Sequence, residues 1–403
     1  MKKATQVIIL FGLVSLFGDL IYEGARSING PYLETLGASA AAVGFFMGFA
    51  EFCSYGVRLV SGFLSDRSKS YWLFIFIGYG LLIAVPLMSL TGIWQTAVMF
   101  IILERIGKAL RGPARDTVVS MASSKIGTGL GFGITEVLDQ LGAVAGPLIL
   151  TGSLLLAGGG YRKGASAYQS AYALMWFPLV VLMACVAIAY FRVKDPTRLE
   201  HSDEIVPPSD KLPRIFWLYT AFTFVSTTGF VNAVLVGYHF KIKGMFADAF
   251  IPLLYAIAMA ADAIAAIVIG KAYDIFKNRR PGKTGGLSVL IAIPILTMMM
   301  MPCVFSGSQA LAIFGMVLWG VIMGAHETVM RSGVADLTHL KKRGTGYGIF
   351  NTSYGLALFA GGALMGLLYG ISLAALITAA VVIECAALAV FLVMRREAIA
   401  RTV

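Results

Sequence analysis

Cysteine and histidine are scarce, with four of each among 403 residues. Cys53, Cys185, Cys303 and Cys385 fall on separate apolar runs without paired spacing, which argues against a disulfide framework or redox motif and leaves them as small apolar fillers. His201, His239, His326 and His339 are equally scattered, so no zinc-ligand set is visible, and no metal or cofactor is expected. Charge is thin too, at 13% of residues against 58% hydrophobic. Gly127-Thr-Gly-Leu-Gly131 neither follows a strand pattern nor precedes Gly-Lys-Ser/Thr, so it lacks the context of a nucleotide loop. With no nucleophile constellation in view either, the chain does not read as an ATPase or other enzyme.

What is abundant is long apolar sequence, with a mean hydropathy of +0.81. A membrane span needs roughly 20 apolar residues, and such runs lie near 6–33, 40–65, 71–91, 94–117, 127–157 and 167–192, then near 214–240, 247–271, 285–305, 309–335, 345–370 and 372–395. The runs are continuous instead of alternating, and only a helix satisfies its own backbone within such a run. The expected fold class is an all-α membrane protein with about twelve transmembrane helices.

The formal net charge of +11 is explained by orientation before nucleic acid. Lys2, Arg67, Lys69, Arg115, Arg192, Lys277, Arg280, Lys341 and Arg396 are among the basic residues that fall on one side of the predicted spans. The other side carries mainly Arg162, Lys163, Lys241 and Lys243. The positive-inside rule then places both termini in the cytoplasm and the chain in the cytoplasmic (inner) membrane, with the basic excess touching anionic headgroups. No nucleic-acid partner is expected.

The chain also repeats itself. Gly62-Phe-Leu-Ser-Asp66-Arg67-Ser-Lys69 joins two apolar runs, and Gly270-Lys-Ala-Tyr-Asp274-Ile-Phe-Lys277 joins two more at one offset of 208 residues (270 − 62 and 274 − 66). Arg111-Gly-Pro-Ala-Arg-Asp116 closes the fourth run as Arg331-Ser-Gly-Val-Ala-Asp336 closes the tenth. Gly344-Thr-Gly-Tyr-Gly348 echoes the glycines from Gly127. A polar stretch rich in Pro and acid follows Arg192 and reads as a linker. The expected organisation is an N-terminal six-helix bundle at 1–192, a cytoplasmic linker at 193–213 and a C-terminal six-helix bundle at 214–403, two pseudo-symmetric bundles from one duplicated unit.

These motifs resemble the major facilitator superfamily over essentially the whole length. Gly62 to Lys69 matches its signature between helices two and three, and Arg105 with the glycines after it resembles its helix-four signature. Gly142-Ala-Val-Ala-Gly146-Pro147 looks like the Gly-Pro motif of its proton-driven antiporters. Glu104-Arg105-Ile-Gly-Lys108 and Arg111 to Asp116 are similar to prokaryotic members whose substrates are mostly unassigned. The resemblance implies two bundles rocking about a central site, with gating by Gly62, Asp66, Arg67 and Asp116 in the first half and Asp274 and Asp336 in the second, and by the helix-five residues Gly142, Gly146 and Pro147. The second loop copy carries Ile275 where the first has Arg67, which implies a weaker latch.

Ionisable side chains near the bilayer centre each cost about 2.5–3.5 kcal/mol on insertion scales, so each needs a partner or a use. Asp19, Glu23 and Arg26 fall at i, i+4 and i+7 on one helical face, with Tyr22 and Asn29 close by. Glu104, Lys108, Arg111 and Arg115 repeat the device in the fourth run, with Arg105 beside them. Glu136 and Asp139, at i and i+3, are two neighbouring carboxylates suited to proton coupling, or else structural partners of Arg105 or Arg26. Glu327 and Arg331 lie at i and i+4 in the tenth run and pair with each other or face the central site. Thr228 and Asn232 share a face of the seventh, where Asn232 is either a substrate contact or an interhelical hydrogen-bonder. Glu51 reads as a structural partner of Arg58, while Asp262 and Glu384 stand isolated.

Together these readings lead to a secondary active transporter of a small organic solute, a functional monomer driven by protons. Asp19, Glu23, Glu136, Asp139 and Glu327 are the proton-coupling candidates. Tyr22, Arg26, Asn29, Glu104, Arg105, Lys108, Asn232 and Arg331 are the substrate-binding candidates. Efflux by antiport is the reading the Gly-Pro resemblance implies; uptake by symport of an organic anion or zwitterion is the alternative, and a non-transporting sensor or scaffold is the alternative of another class. The first half is expected to carry coupling and the second to shape the substrate site.

Overall fold

The structure is a computed structural model that describes residues 2–123, 128–158, 160, 164–194, 212–278, 285–338 and 343–400. Among these residues the regular structure is entirely helical. The first elements are α1 (Lys2–Thr35), α2 (Ala40–Ser68), α3 (Tyr71–Gly80), α4 (Ala84–Leu87), α5 (Trp94–Ser123), α6 (Thr128–Leu156), α7 (Ala165–Ala173) and α8 (Trp176–Arg192). They are followed by α9 (Arg214–Gly229), α10 (Ala233–Lys243), α11 (Phe250–Asn278), α12 (Ala292–Val304), α13 (Gln309–Leu337), α14 (Arg343–Ile371) and α15 (Leu373–Ala400), with short 3-10 turns completing the third and ninth spans.

Eleven of the described helices or helix stacks are long and apolar enough to cross a membrane. The 30-residue α5 makes a twelfth despite carrying Glu104, Arg105, Lys108 and Arg111. Most spans begin and end within a few residues of the sequence expectation, while α5 and α11 run on to Ser123 and Asn278, six and seven residues past it (123 − 117 and 278 − 271). Of the duplicated landmarks, Gly127, most of the linker (195–211) and the side chain of Arg331 lie outside the described residues.

The seventh span differs from the continuous helix that the Thr228–Asn232 spacing assumes. α9 stops at Gly229, Phe230 is extended, and Asn232 Oδ1 accepts from the Val234 N–H at 2.8 Å to start α10. Apolar surroundings tolerate such a break only if the freed backbone groups find partners. Here Trp319 Nε1–H donates to the Val231 carbonyl at 2.9 Å, and the Phe230 ring stacks on Trp319 at 5.5 Å.

The chain forms two compact units. Unit one comprises Met1–Ala38, Phe49–Glu204 and Gly237–Ala256; unit two comprises Ser39–Gly48, Ile205–Val236 and Ile257–Val403. Three helices therefore pass from one unit to the other: α2 after Gly48, α10 after Val236 and α11 after Ala256.

Unit one is built on α1 and α6, whose backbones meet without intervening side chains. A Cβ on Gly142 would overlap the Leu16 carbonyl, and one on Gly146 would overlap that of Leu20 and stand 2.9 Å from the Gly24 nitrogen. Only glycine permits this approach. Further along α1, Tyr32 packs against Tyr168 and Tyr172, and its hydroxyl donates to the Thr91 carbonyl.

In unit two the first turns of α2 run along α14 in the same way. Gly44 and Gly48 lie on Gly362, Gly366, Leu358 and Phe359, close enough that a Cβ on Gly48 would reach the Leu358 carbonyl at 2.9 Å. α9, α14 and α15 form the adjoining core, where Tyr219, Phe350 and Tyr354 stack in sequence at 5.6 and 6.3 Å.

Candidate functional site

The charged stripe of α1 faces α5 and α2 inside unit one. Helical spacing sets Tyr22, Glu23, Arg26 and Asn29 on one side of α1, and all four are buried. Arg26 is the centre: Nη1 donates to the Tyr22 hydroxyl at 3.1 Å and lies 3.7 Å from Glu23 Oε1, while Nη2 reaches Glu51 Oε1 at 3.3 Å. Arg105 Nη2 approaches the same Glu51 oxygen at 3.4 Å, and its Nε is 3.5 Å from Glu104 Oε2. The Tyr22 ring lies under two cations, Arg105 at 4.4 Å and Lys108 at 3.7 Å. Tyr255 of α11 donates its hydroxyl to Glu23 Oε2 at 2.5 Å, and Tyr172 of α7 donates to Asn29 Oδ1 at 2.8 Å.

The cluster thus holds Glu23, Glu51 and Glu104 against Arg26, Arg105 and Lys108. Balance matters because taking an ion out of water costs several kcal/mol unless a partner repays it. Among the described residues, two fully buried atoms of the cluster make no hydrogen bond: Arg26 Nε and Glu104 Oε1.

Toward the termini a looser set follows. Arg115 donates to Ser15 Oγ at 3.0 Å, pairs with Asp116 at 3.0 Å and lies 3.9 Å from Asp139. Asp19 is half-buried, within electrostatic range of Asp139 and Lys108. Arg105 and Arg26, expected as structural partners of the fifth-span acids, are engaged by Glu51, Glu104 and Glu23 instead, and Glu136 is exposed.

Unit two spreads its polar groups more widely. Glu384 of α15 is fully buried, accepts from Ser226 Oγ at 2.9 Å and lies against Gly229 at the end of α9. His326 Nδ1 is 3.1 Å from the Tyr354 hydroxyl, and its ring lies 5.2 Å from Phe230. Glu327 is half-buried on α13; its expected pairing with Arg331 lies outside the described side chains. Asn232 is a helix cap in this structure.

The residues expected to gate separate by half. Asp66 and Arg67 are exposed at the end of α2, Gly62 lies along Pro113 of α5, and Asp116 is engaged by Arg115. Pro147 sits within α6, where its carbonyl accepts from Thr151. In unit two Asp274 is exposed, while Asp336 accepts from Lys277 Nζ at 2.6 Å and the Tyr273 hydroxyl at 2.8 Å. Lys277, the last residue of the second loop copy, supplies the cation that Ile275 does not.

Sequence reasoning passed over three contributors. Helical spacing sets Glu51 beside Arg58, but its carboxylate meets two arginines from other helices; a lone acid in an apolar span is the available signal. Tyr255 and Tyr172 carried none, since tyrosines in apolar runs are ordinary.

Comparison with known proteins bears on the fold and the family. The family model described as Major Facilitator Superfamily matches residues 11–361 and 247–402. An uncharacterized protein of Mycobacterium tuberculosis is 37% identical over 404 residues, 99% of this chain and 95% of its own length. An uncharacterized MFS-type transporter of Methanocaldococcus jannaschii is 24% identical, covering 92% and 90%. Among solved structures, a variant of the nucleoside transporter NupG superposes with a TM-score of 0.72 at 10% identity, covering 97% of this chain and 99% of its own. A bacterial homolog of the human lysosomal transporter Spinster gives 0.71 at 15%, covering 98% and 97%.

Proposed function

The chain belongs to the major facilitator superfamily, and from that premise we propose that it exports a small organic solute in exchange for protons by alternating access. Membership makes it a multi-pass membrane protein and a secondary transporter, not an enzyme. The observation that carries the finer reading is the set Glu23–Arg26–Glu51–Arg105–Glu104 on α1, α2 and α5, with Lys108 of α5 beside it over the Tyr22 ring. Three carboxylates balance three cations there, so one added proton leaves a net positive charge in an apolar setting, which the protein relieves by binding an anion or by rearranging.

Asp19, Glu23, Asp139 and Glu136 are the groups through which the proton enters this balance, with Arg26, Arg105, Lys108 and Tyr22 facing the solute. The close glycine crossing of α1 and α6 at Gly142 and Gly146, with Pro147 beside it, supports the exporter reading through its likeness to the antiporter motif. One observation favours uptake of a zwitterion or organic anion by symport: the unused Arg26 Nε and Glu104 Oε1 are a donor and an acceptor of opposite charge in one cluster. Domains 1–192 and 214–403 act as the two moving bundles, in a functional monomer with both termini cytoplasmic in the inner membrane.

The test starts with a thermal-shift screen of solute classes on purified protein, since a ligand stabilises the state it binds. Proteoliposomes holding the hit are then given a pH gradient. Solute leaving against the inward proton gradient supports exchange, and co-accumulation with protons supports symport. Flux indifferent both to the gradient and to neutralising Asp19, Glu23, Glu136 and Asp139 ends the proton reading.

A further inference from the structure

Two of the helices that pass between the units bring a polar side chain from beside the crossing point to the same ion pair. α2 changes unit after Gly48, and Glu51, one turn on, takes Arg26 and Arg105. α11 changes unit after Ala256, and Tyr255, the residue before, donates to Glu23. The crossing points lie 208 residues apart (256 − 48), the offset that separates the two loop copies. The third such helix, α10, packs Gly237 on Pro31, two turns along α1 from Glu23.

From this juxtaposition we infer that Tyr255 and Glu51 are coupling residues: the charge state of Glu23–Arg26 sets how firmly residues 237–256 and α2 hold to unit one. The inference rests on the proton reading above. In the proton step Glu23 takes one proton from hydronium, releasing water, and its carboxylate becomes a neutral acid. The Tyr255 hydroxyl then loses a charged acceptor, and hydrogen bonds to charged groups are about twice as strong as those between neutral ones. Arg26 loses its α1 carboxylate and is left with Tyr22 as a neutral partner and Glu51 as a charged one. Proton arrival thus loosens the α11 contact and tightens the demand on α2, a seesaw between the two shared helices.

The groups around Glu23 bear this out by placement. On α1 they are Asp19, Tyr22 and Arg26; α2 presents Glu51; α5 presents Arg105 and Lys108; α11 presents Tyr255. α6 meets α1 with Gly146 opposite Gly24 and with Asp139 nearer Asp19, α7 brings Tyr172 to Asn29, and α8 brings Leu182 to Gly18. Tyr255 is the one neutral donor from α11 on the carboxylate, so removing its hydroxyl alters no net charge.

The experiment uses full-length protein in nanodiscs with the four cysteines replaced by serine. Spin labels at Ile93→Cys and Lys243→Cys, both exposed and both in unit one, report the distance of the 237–256 segment from the loop before α5 across pH. The expected wild-type result is a longer-distance population growing as pH falls. Tyr255→Phe shows the longer-distance population already at high pH and loses most of the pH response, because the hydrogen bond through which the carboxylate's charge acts is gone. Glu51→Gln gives an independent arm: the long-distance population retains its pH response, while a second pair of labels, at Val60 of α2 and Gly92 before α5, both exposed and both in unit one, separates. Tyr255→Phe matching wild type at every pH overturns the coupling role. Distances that ignore pH in wild type while Tyr255→Phe still lengthens them leave Tyr255 as a docking residue and overturn its proton coupling; the proton reading of function falls separately, on the proteoliposome flux.

Discussion

Removing Glu51 should be among the most damaging single changes in the first unit, and its cost follows from the contacts. One carboxylate oxygen serves two guanidiniums, Arg26 at 3.3 Å and Arg105 at 3.4 Å, with the residue 7% exposed. Breaking a buried pair by deleting one partner costs about 3–5 kcal/mol, since the other charge stays buried. Each arginine keeps a second carboxylate, Glu23 at 3.7 Å and Glu104 at 3.5 Å, and both lie at the Tyr22 side chain. Glu51→Ala therefore falls at the low end, about 3 kcal/mol. Glu51→Gln keeps an acceptor and loses roughly half as much. Unfolding in mixed micelles with increasing SDS, followed by tryptophan fluorescence, measures both. Combining Glu51→Gln with Arg26→Gln should cost at least about 1 kcal/mol less than the sum, because neighbours sharing a network are not additive. A Glu51→Ala protein within about 1 kcal/mol of wild type, or strict additivity in that pair, would refute the network.

Gly146→Ala should cost about 3 kcal/mol, the upper range for overpacking, because the new methyl meets the backbone of α1 at Leu20 and Gly24; Gly152→Ala, with open space around it, is the matched control, and SDS unfolding compares them. Lys277→Ala should cost about 1 kcal/mol through Asp336, whereas Asp274→Ala, at an exposed position, should fall within about 0.5 kcal/mol, both read by thermal unfolding. Asn232→Ala should lose about 1 kcal/mol as a removed helix cap while Asn232→Ser retains most of it; a solute-affinity loss common to both with no stability change would return Asn232 to the binding face.

Spans were readable because the bilayer imposes a length and a hydropathy on each, and the duplicated Gly62 and Gly270 loops showed where pairs of spans turn. The break at Phe230–Asn232 was not readable: no proline or glycine pair sits inside it, and what holds it is Trp319, far along the chain. Much the same separates the two parts of the site. Tyr22, Glu23 and Arg26 declared themselves by sharing a helical face, a local property. The meeting of Glu51 with Arg26 and Arg105 is a property of three helices packing together, and periodicity within one helix says nothing of it. Ile275 stands where the first copy has Arg67, and the contact of Lys277, two residues on, with Asp336 joins two helices in a way that the loop's own spacing does not show.

The crossing of α2 with α14 is made almost wholly of main chain, with Gly44 and Gly48 against Gly362 and Gly366. Surfaces that interlock through side chains must unlock rotamer by rotamer before they turn. A smooth seam has nothing to unlock, so the two helices can slide on each other at little cost, and bulk added at any of these four glycines should wedge them apart.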